Sequence, residues 1–481
     1  MRFNKFLFFV LLMFVDIVSL KSSYAYDDTG LGVSGSSALS VDTEREIGTY
    51  FMTASRSSLP IIYDPVLEKY IQSLGTRLVL SAEGVKYPFE FFLVKDNSIN
   101  AAAFFGGKVM VHAGLISVTD TESELASVLA HEITHVTQRH LARAIEERQK
   151  SLISGGAQLL GGLILSIINP AMGAFGVTSA LGGIQQSQVD YTRSNEYEAD
   201  RIGIDVLYRA GFNPDGMVSM MRKLQSNSDK ISPVFEMLLT HPISAKRVAE
   251  SSDRARLFKP KKYYESIDYQ FAKARIRVRY TGTNPESLVA DANEKIRKNS
   301  SDYGAYYQKS LSLLALGKPA QALESLKQIE KKYPRNLFVV DTMSDILIAQ
   351  KKTNEGVAYL NKLKNVLISD EVVFLNLASM YISSKKYDKA IKILKRLKID
   401  TKYLAADEML LDIYKQTNKK CEAYVLNAEI YEYKGRWVQA LDSTKEALKY
   451  CSEKNLLLRT QAQQARIVEK QEFYDRLLKN L

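Results

Sequence analysis

Two histidines and one glutamate have the spacing of a metal-dependent hydrolase in the segment His131-Glu132-Ile133-Thr134-His135. If this segment is helical, the two histidines lie on one face, one turn apart, and both can ligate one metal ion. Glu132 can then take a proton from a water molecule at the metal. The chain contains only 5 histidines, so chance alone would produce this spacing in roughly one such chain in a few hundred. The pattern therefore predicts a zinc peptidase.

An acidic segment at residues 195–200 can complete the metal site, because a catalytic zinc ion needs three protein ligands and an open fourth position. Glu196 and Asp200 share one helix face, so Glu196 could bind zinc while Asp200 holds a ligand histidine through its other ring nitrogen. The alternative, an acidic helix start favoured by the macrodipole, is set aside because the histidine pair needs a third ligand. We expect His140, nine positions after His131, on the other side of the helix from the pair.

The apolar pattern predicts the elements that must hold these side chains. Helical spacing over residues 41–80 is followed by strand-like runs at 89–94 and 108–112. The histidine segment, residues 196–210 and the repeats after 280 are expected to be helical. The sequence therefore predicts an α+β fold that is mainly α, with a small sheet beside the peptidase helix.

Capping signals mark the two helices of the site. Thr121 and Glu124 have the spacing of a capping box just before the histidine helix. Asn195 is a plausible N-cap for a helix from about 196 to 210, which Gly211 would end.

Length and charge set limits on the whole chain. At 481 residues with ordinary globular composition, two or three domains are expected. The formal net charge of +11 favours acidic partners of any class, whether nucleic acid, lipid or protein.

The N-terminus indicates export. A positively charged start, an apolar run at 6–20 and a small-residue cleavage site predict a signal peptide at 1–25. A retained anchor is disfavoured, because the run is short and Asp16 lies in its middle. Residues 26–40 are predicted to be a flexible leader. We therefore expect a periplasmic protein and no nucleic-acid partner.

Three features leave alternatives open. The apolar segment 154–183 could be a buried helical hairpin over the site, or a mobile flap or peripheral contact with membrane or partner; it is too short to span a bilayer. Cys421 and Cys451 could form a disulfide or remain two buried thiols. The basic segment 263–280 could join two domains, or could be a strand with one solvated basic face.

The C-terminal part contains a repeat of 34 residues, with Ala322, Gly356 and Ala390 at corresponding positions. Small residues at such positions let paired helices approach closely, as in the tetratricopeptide repeat, whose stacked units form a concave surface for peptides or proteins. A further unit around Ala440 is out of phase, so an extra helix or insertion is expected near 401–420. An unrelated helical bundle is the alternative.

The motifs together resemble a known peptidase family. The H-E-x-x-H helix, E-x-x-x-D about sixty residues later, and Thr240-His241-Pro242 are similar to the zinc peptidases that include HtpX, mitochondrial Oma-type proteases and CAAX prenyl proteases. With a signal peptide and C-terminal repeats, nearly the whole mature chain resembles the BepA/YfgC-like periplasmic protease-chaperones of outer-membrane assembly.

This resemblance implies a role for each residue of the site. The implied set is one Zn²⁺ held by His131, His135 and Glu196, with Glu132 as general base and Asp200 as the acid that supports a ligand. His241 would approach the metal and restrain activity, and Arg247 would help to fix the site. Asn100, Gly107 and Val109 belong to the segment that leads into a substrate-pairing edge strand. Relatives often have a proline before Gly106-Gly107, which is absent here.

The resemblance also implies an organisation and a function. The expected parts are a zinc metalloprotease domain at 41–262, a basic linker or first helices at 263–300 and a tetratricopeptide-repeat domain at 301–481. The expected activity is endoproteolysis of misfolded or stalled outer-membrane proteins, with the repeats binding those proteins and their assembly machinery. The alternative is a non-proteolytic assembly factor or chaperone with a latent metal site.

Overall fold

The computed structural model describes residues 39–152, 185–226, 237, 241–259, 261–364, 370–400 and 404–480. The predicted signal peptide, most of the predicted leader and the apolar segment 154–183 lie outside these residues. Among the described helices, none combines the length and the apolar character needed to cross a membrane.

Helices surround one small sheet in the first half of the chain. In order, the elements are α1 (Val41–Ser58), α2 (Pro65–Val79), β1 (Glu90–Val94), β2 (Ala101–Phe104), β3 (Lys108–His112), α3 (Ala113–Val118), α4 (Glu122–Thr137), α5 (His140–Leu152), α6 (Gln185–Arg209), α7 (Asp215–Gln225) and α8 (Ala245–Arg256). The predicted α+β class, mainly α with a small sheet, is confirmed.

The sheet has the strand order β1-β3-β2, so β3 is central and β2 is an edge strand. Strand β1 is parallel to β3, with Phe91 opposite Val109, and β2 is antiparallel to β3, with Ala103 opposite Val109. Strands β1 and β3 were predicted. Strand β2 was not, because its run of three alanines shows neither the alternation nor the β-branched residues typical of strands.

Helix α4 carries the H-E-x-x-H segment through the centre of this part. Its start is capped as predicted: the Thr121 side chain accepts a hydrogen bond from Glu124 N at 3.1 Å. The Glu124 carboxylate accepts one from Asp120 N at 2.7 Å. Nearly every residue of α4 is buried, which a helix surrounded by other elements requires. The helix ends at Thr137, and a new helix begins at His140.

Helix α6 is longer than predicted. It begins at Gln185, so Asn195 lies inside it and the prediction of an N-cap at Asn195 is wrong. Residues 185–194 contain neither glycine nor proline, so nothing local stops the helix from extending toward its N-terminus. The predicted end is correct, because the helix stops at Arg209 and Gly211 takes the left-handed conformation with φ of 83°.

The second half is a row of antiparallel helices. The elements are α9 (Ile267–Arg279), α10 (Pro285–Lys298), α11 (Tyr303–Ala315), α12 (Pro319–Glu330), α13 (Leu337–Ala349), α14 (Thr353–Lys364), α15 (Glu371–Ser383), α16 (Tyr387–Asp400), α17 (Leu404–Gln416), α18 (Lys420–Tyr433), α19 (Trp437–Tyr450) and α20 (Lys454–Asn480). The repeat positions Ala322, Gly356 and Ala390 are buried at matching places in α12, α14 and α16.

An inserted helix explains the shift of the last repeat. Helix α17 occupies the predicted insertion near 401–420 and separates α16 from the pair α18 and α19. A disulfide joins Cys421, near the start of α18, to Cys451, just after α19. Of the two alternatives left open for the cysteines, the structure therefore has the disulfide.

The basic segment after 263 forms helix α9, so the alternative of a strand with a solvated basic face is wrong. Arg275 is 2% exposed and forms ion pairs with Asp64, at the start of α2, and Asp341, in α13. These acidic partners come from distant parts of the chain, and they allow the arginine to be buried. The described residues from 39 onward belong to a single compact unit.

One carboxyl group beside α2 predicts a dependence of stability on pH. Burial and the charge of Asp64 raise the pKa of Glu68 to about 7, although Arg56 acts in the opposite direction. A folded state that binds this proton more tightly than the unfolded chain loses stability as pH rises from about 4.5 to about 7. Glu68→Gln is therefore expected to raise the free energy of unfolding by about 1–2 kcal/mol at pH 8 and to change it little at pH 4.

Urea-induced unfolding at the two pH values checks this prediction. Glu46→Gln, at an exposed position of α1, is the control and should have no effect at either pH. If Glu68→Gln raises the free energy of unfolding equally at both pH values, the effect comes from packing and not from the proton on Glu68.

Candidate metal centre

Four side chains converge at the middle of α4. His131, His135, Glu196 and His241 each offer one ligand atom, and these atoms all lie within 4.8 Å of one another. The first two come from α4, Glu196 comes from α6, and His241 lies just before α8. The structure thus brings together the three predicted metal ligands and His241, which the resemblance implied would approach the metal.

The donor atoms suit a zinc ion. The Nε2 atoms of His131 and His135 are 3.0 Å apart, and the Glu196 carboxylate lies 3.4 Å and 3.5 Å from them. The Nε2 atoms of both rings and the Glu196 carboxylate thus lie close enough together for all three to bind one metal ion. Two imidazoles and a carboxylate are a donor set that zinc prefers in catalytic sites.

Asp200 and Arg247 support this set from behind. Asp200 Oδ1 lies 3.0 Å from His131 Nδ1, the ring nitrogen that faces away from the centre. Arg247 donates two hydrogen bonds to the Asp200 carboxylate, at 2.7 Å and 2.8 Å, and one to Pro242 O at 2.8 Å. Its Nη1 is also 2.9 Å from the Glu196 carboxylate. Arg247 therefore links the acidic face of α6 to the segment that carries His241.

Burial and neighbouring charges shift the pKa of each group. Burial alone would lower the pKa of His131, but hydrogen bonds to Asp200 and Glu196 raise it to about 10. Burial would raise the pKa of Glu196, yet His241 and His131 hold it far below its usual range. Burial raises the pKa of Glu132, although His241 and His131 oppose this. The Glu196 carboxyl group at the centre is therefore held as an anion, the form in which a carboxylate binds a metal ion.

Glu132 has one anchored and one free carboxylate oxygen. Its Oε2 accepts a hydrogen bond from Ala103 N, in the edge strand β2, at 2.9 Å. Its buried Oε1 has no hydrogen-bond partner among the described residues and lies 3.5 Å from His241 Nε2. This arrangement holds the carboxylate still and leaves one oxygen available to receive a proton.

His241 contacts two of the other three possible ligands. Its Nδ1 is 2.9 Å from Glu196 Oε1 and 3.4 Å from His131 Nε2. Zinc sites with four protein ligands are closed, whereas catalytic sites keep one position open. With His241 in this place, the centre has the donor set of a closed site.

A cavity of about 640 Å³ opens from the centre between β2 and α1. Asn100 lies on its wall, and its buried side-chain oxygen has no hydrogen-bond partner among the described residues. Phe51 of α1 stacks on Phe104 of β2, with ring centroids 3.6 Å apart, and the two rings form an apolar part of the wall.

Two of the predicted substrate-binding residues lie elsewhere. Val109 is fully buried in the central strand and is paired on both sides, so it has no free backbone edge; the free edge belongs to β2, and the assignment is corrected. Gly107 has φ of 72°, and a Cβ there would lie 2.7 Å from Pro88 O. Its role is to allow the turn between β2 and β3.

The position of His140 differs from the prediction. Its Nδ1 lies 2.8 Å from His135 Nδ1, on the rear of the second predicted ligand. The prediction assumed one continuous helix, but Arg139 takes the left-handed conformation with φ of 53° and redirects the chain. Sequence spacing carried no signal for this break, because arginine is not a residue that usually adopts that conformation.

Comparison with known proteins agrees with this arrangement. Residues 65–255 match the family described as Peptidase family M48, and residues 305–336 match Tetratricopeptide repeat. The beta-barrel assembly-enhancing protease of Yersinia pestis is 42% identical over 371 residues, which cover 76% of this chain and 76% of the relative. The protein of the same name from Escherichia coli strain K12 is 38% identical over 423 residues, covering 87% of this chain and 86% of the relative.

A more distant relative matches only the first half. The mitochondrial metalloendopeptidase OMA1 of Schizosaccharomyces pombe is 27% identical over 184 residues, which cover 37% of this chain and 50% of that protein. The resemblance inferred from the motifs is thereby confirmed, both for the peptidase part and for the repeats. The chain belongs to peptidase family M48, in the group of the beta-barrel assembly-enhancing proteases, and is a metalloendopeptidase.

Proposed function

We propose that this metalloendopeptidase uses one zinc ion to cleave misfolded or stalled outer-membrane proteins in the periplasm. The observation that carries the proposal is the convergence of His131, His135 and Glu196 on one point, with the free oxygen of Glu132 beside it. Two relatives that match most of the chain are named beta-barrel assembly-enhancing protease, and this supports the process proposed here.

The residues of the chain divide the chemistry among them. A zinc ion held by His131, His135 and Glu196 would polarise the scissile carbonyl group and acidify a water molecule. Glu132 receives the proton of the attacking water on its free oxygen and passes it to the leaving amine. The outer side of β2, where Ala103 N reaches Glu132, provides a backbone edge along which an extended substrate can pair.

His241 supports a restrained form of this enzyme. In the structure its ring lies among the ligand atoms, at a place that a substrate carbonyl or a water molecule must reach. We infer that His241 acts as a fourth ligand in a resting state and leaves the centre when substrate binds. The position of His241 among the ligand atoms also favours the second candidate function, because a centre closed by a fourth ligand fits a non-proteolytic assembly factor or chaperone with a latent metal site.

The helical repeats supply the selection of substrates in this proposal. Stacked repeats form concave surfaces that hold polypeptide segments, so outer-membrane proteins and their assembly machinery are the proposed partners. A chaperone role follows if the repeats hold these proteins without cleavage.

A signal peptide at 1–25 would deliver the protein to the periplasm, and no nucleic-acid partner is proposed. The proposed boundaries are 41–262 for the protease, 263–300 for the junction and 301–481 for the repeats.

Replacing His241 tests whether the protease is restrained. His241→Ala is expected to increase cleavage of casein at least about tenfold, because the fourth coordination position becomes free for water. The measurement is the initial rate with purified zinc-loaded protein, and the double variant His241→Ala, Glu132→Gln is the control that should be inactive. If neither the parent nor His241→Ala cleaves casein or an unfolded outer-membrane protein, the assembly-factor alternative is favoured.

A further inference from the structure

The two predicted ligand histidines of α4 are both held from behind, but in different ways. The rear nitrogen of His131, Nδ1, faces the Asp200 carboxylate at 3.0 Å. In the part of the chain that the structure describes, no carboxylate faces the rear nitrogen of His135, which lies 2.8 Å from Nδ1 of His140. A histidine that supports a ligand histidine is unusual, since this place is normally taken by a carboxylate, a carbonyl or water.

On its other side, the His140 ring faces the carboxylate of Glu198. His140 Nε2 lies 3.1 Å from Glu198 Oε2, and Arg143 Nη2 donates a hydrogen bond to the same oxygen at 2.8 Å. His140 is 4% exposed, so its ring nitrogens depend on these partners and not on bulk water. The row His135, His140, Glu198 is thus continuous from the centre to a carboxylate that an arginine fixes.

Only one arrangement of hydrogens satisfies every contact in this row when a metal is bound. His135 must keep Nε2 without hydrogen, because that atom lies 3.0 Å from His131 Nε2 at the centre and is the one that would bind the metal. Its hydrogen is then on Nδ1 and is donated to Nδ1 of His140, which must accept. The hydrogen of His140 is then on Nε2 and is donated to Glu198.

We propose that His140 and Glu198 form a relay that positions His135, fixing the ring orientation and the tautomer with which it binds the metal. His140 and Glu198 are positioning residues in this proposal, which rests on the proposed zinc site. Through this relay the Glu198 carboxylate anchors His135 indirectly, whereas the Asp200 carboxylate anchors His131 directly. All the carboxylates involved come from one helix, since α6 supplies Glu196, Glu198 and Asp200.

The backbone conformation at Arg139 places His140 behind the ring of His135. In an unbroken helix, residue 140 would be rotated by about 140° from residue 135 and would face away from its ring. The left-handed φ of 53° at Arg139 costs about 1–2 kcal/mol for a residue other than glycine. The Arg139 side chain is held by Glu44 Oε1 and Leu39 O, each at 2.7 Å. Such strain at a site that surrounding contacts hold in place is typical of a functional constraint.

Two amide substitutions at position 140 test the relay directly. The side-chain oxygen of asparagine lies near the place of histidine Nδ1, whereas that of glutamine lies near the place of Nε2. His140→Asn therefore keeps an acceptor for His135, and His140→Gln removes it while remaining polar and similar in size. We expect zinc affinity to fall by about 10–100-fold in His140→Gln and by no more than about threefold in His140→Asn.

The readout is the zinc dissociation constant of purified protein, measured by competition with a chromophoric chelator, so it does not depend on activity. Equal losses in both variants, or no loss in His140→Gln, overturn the relay. The parent protein is measured alongside, together with Glu196→Gln, which lacks one of the three proposed zinc ligands. If the parent itself does not bind zinc, the proposed metal site fails; if the parent binds zinc and the two amide variants do not differ, only the relay fails.

Discussion

Replacing Glu132 with glutamine is expected to lower the rate of peptide cleavage by about 10²–10⁴-fold while zinc stays bound. Glutamine has nearly the same shape and can still accept the hydrogen bond that Ala103 N donates to Oε2 at 2.9 Å. It cannot take a proton at neutral pH, so the water molecule loses its base. Zinc binding should persist, because Glu132 is not among the four residues whose ligand atoms cluster at the centre.

The experiment is best made in the His241→Ala background, where cleavage is expected to be easiest to measure. Casein cleavage and the zinc content of the purified variant are measured together. Glu46→Gln, at an exposed position of α1, is the control for a change of glutamate to glutamine away from the centre. Its rate should equal that of the background. Cleavage by Glu132→Gln within a factor of about ten of the background would remove Glu132 from the role of general base.

The sequence predicted the centre well where helical periodicity alone sets the geometry. His131 and His135 lie on one face of α4, and Glu196 and Asp200 lie on one face of α6, because residues four apart on a helix are always neighbours. Neither pair depends on where its helix begins. The error at Asn195 therefore moved the start of α6 by about ten residues without disturbing the predicted ligands.

The parts that the sequence did not predict depend on distant contacts. His140 reaches His135 only because the chain breaks at Arg139, and that break is held by Glu44, which lies 95 residues earlier. Strand β2 forms from three alanines and a phenylalanine because β3 offers it a hydrogen-bonding partner. The repeats were easier to predict, since their period of 34 residues is visible in the sequence without knowledge of any tertiary contact.

The buried ion pairs of Arg275 carry the second large prediction. Arg275 Nε lies 2.6 Å from Asp64 Oδ2, and its Nη2 lies 2.7 Å from Asp341 Oδ2. Burial would raise the pKa of Asp64, but Arg275 and Arg279 hold it below its usual range, so the carboxylate is an anion in the folded protein. Arg275→Met is expected to lower the free energy of unfolding by about 3–5 kcal/mol, because it removes the cation that contacts both carboxylates and leaves Asp64 only the longer contact of 3.7 Å with Arg279.

Urea-induced unfolding of the purified protein measures this loss, and two further variants separate its causes. Arg277→Met, two residues further along α9, is the control. The Arg277 side chain is 25% exposed and pairs with Asp291, so a change in the free energy of unfolding of no more than about 1 kcal/mol is expected.

The double variant Arg275→Met, Asp64→Asn should recover part of the lost stability, because it removes one of the buried carboxylates that Arg275 neutralises. If Arg275→Met costs no more than the control, the ion pairs do not stabilise the packing of α9 between the protease helices and the repeats. If Asp64→Asn adds a further loss, the cost arises from lost packing of the arginine side chain and not from the unpaired carboxylate.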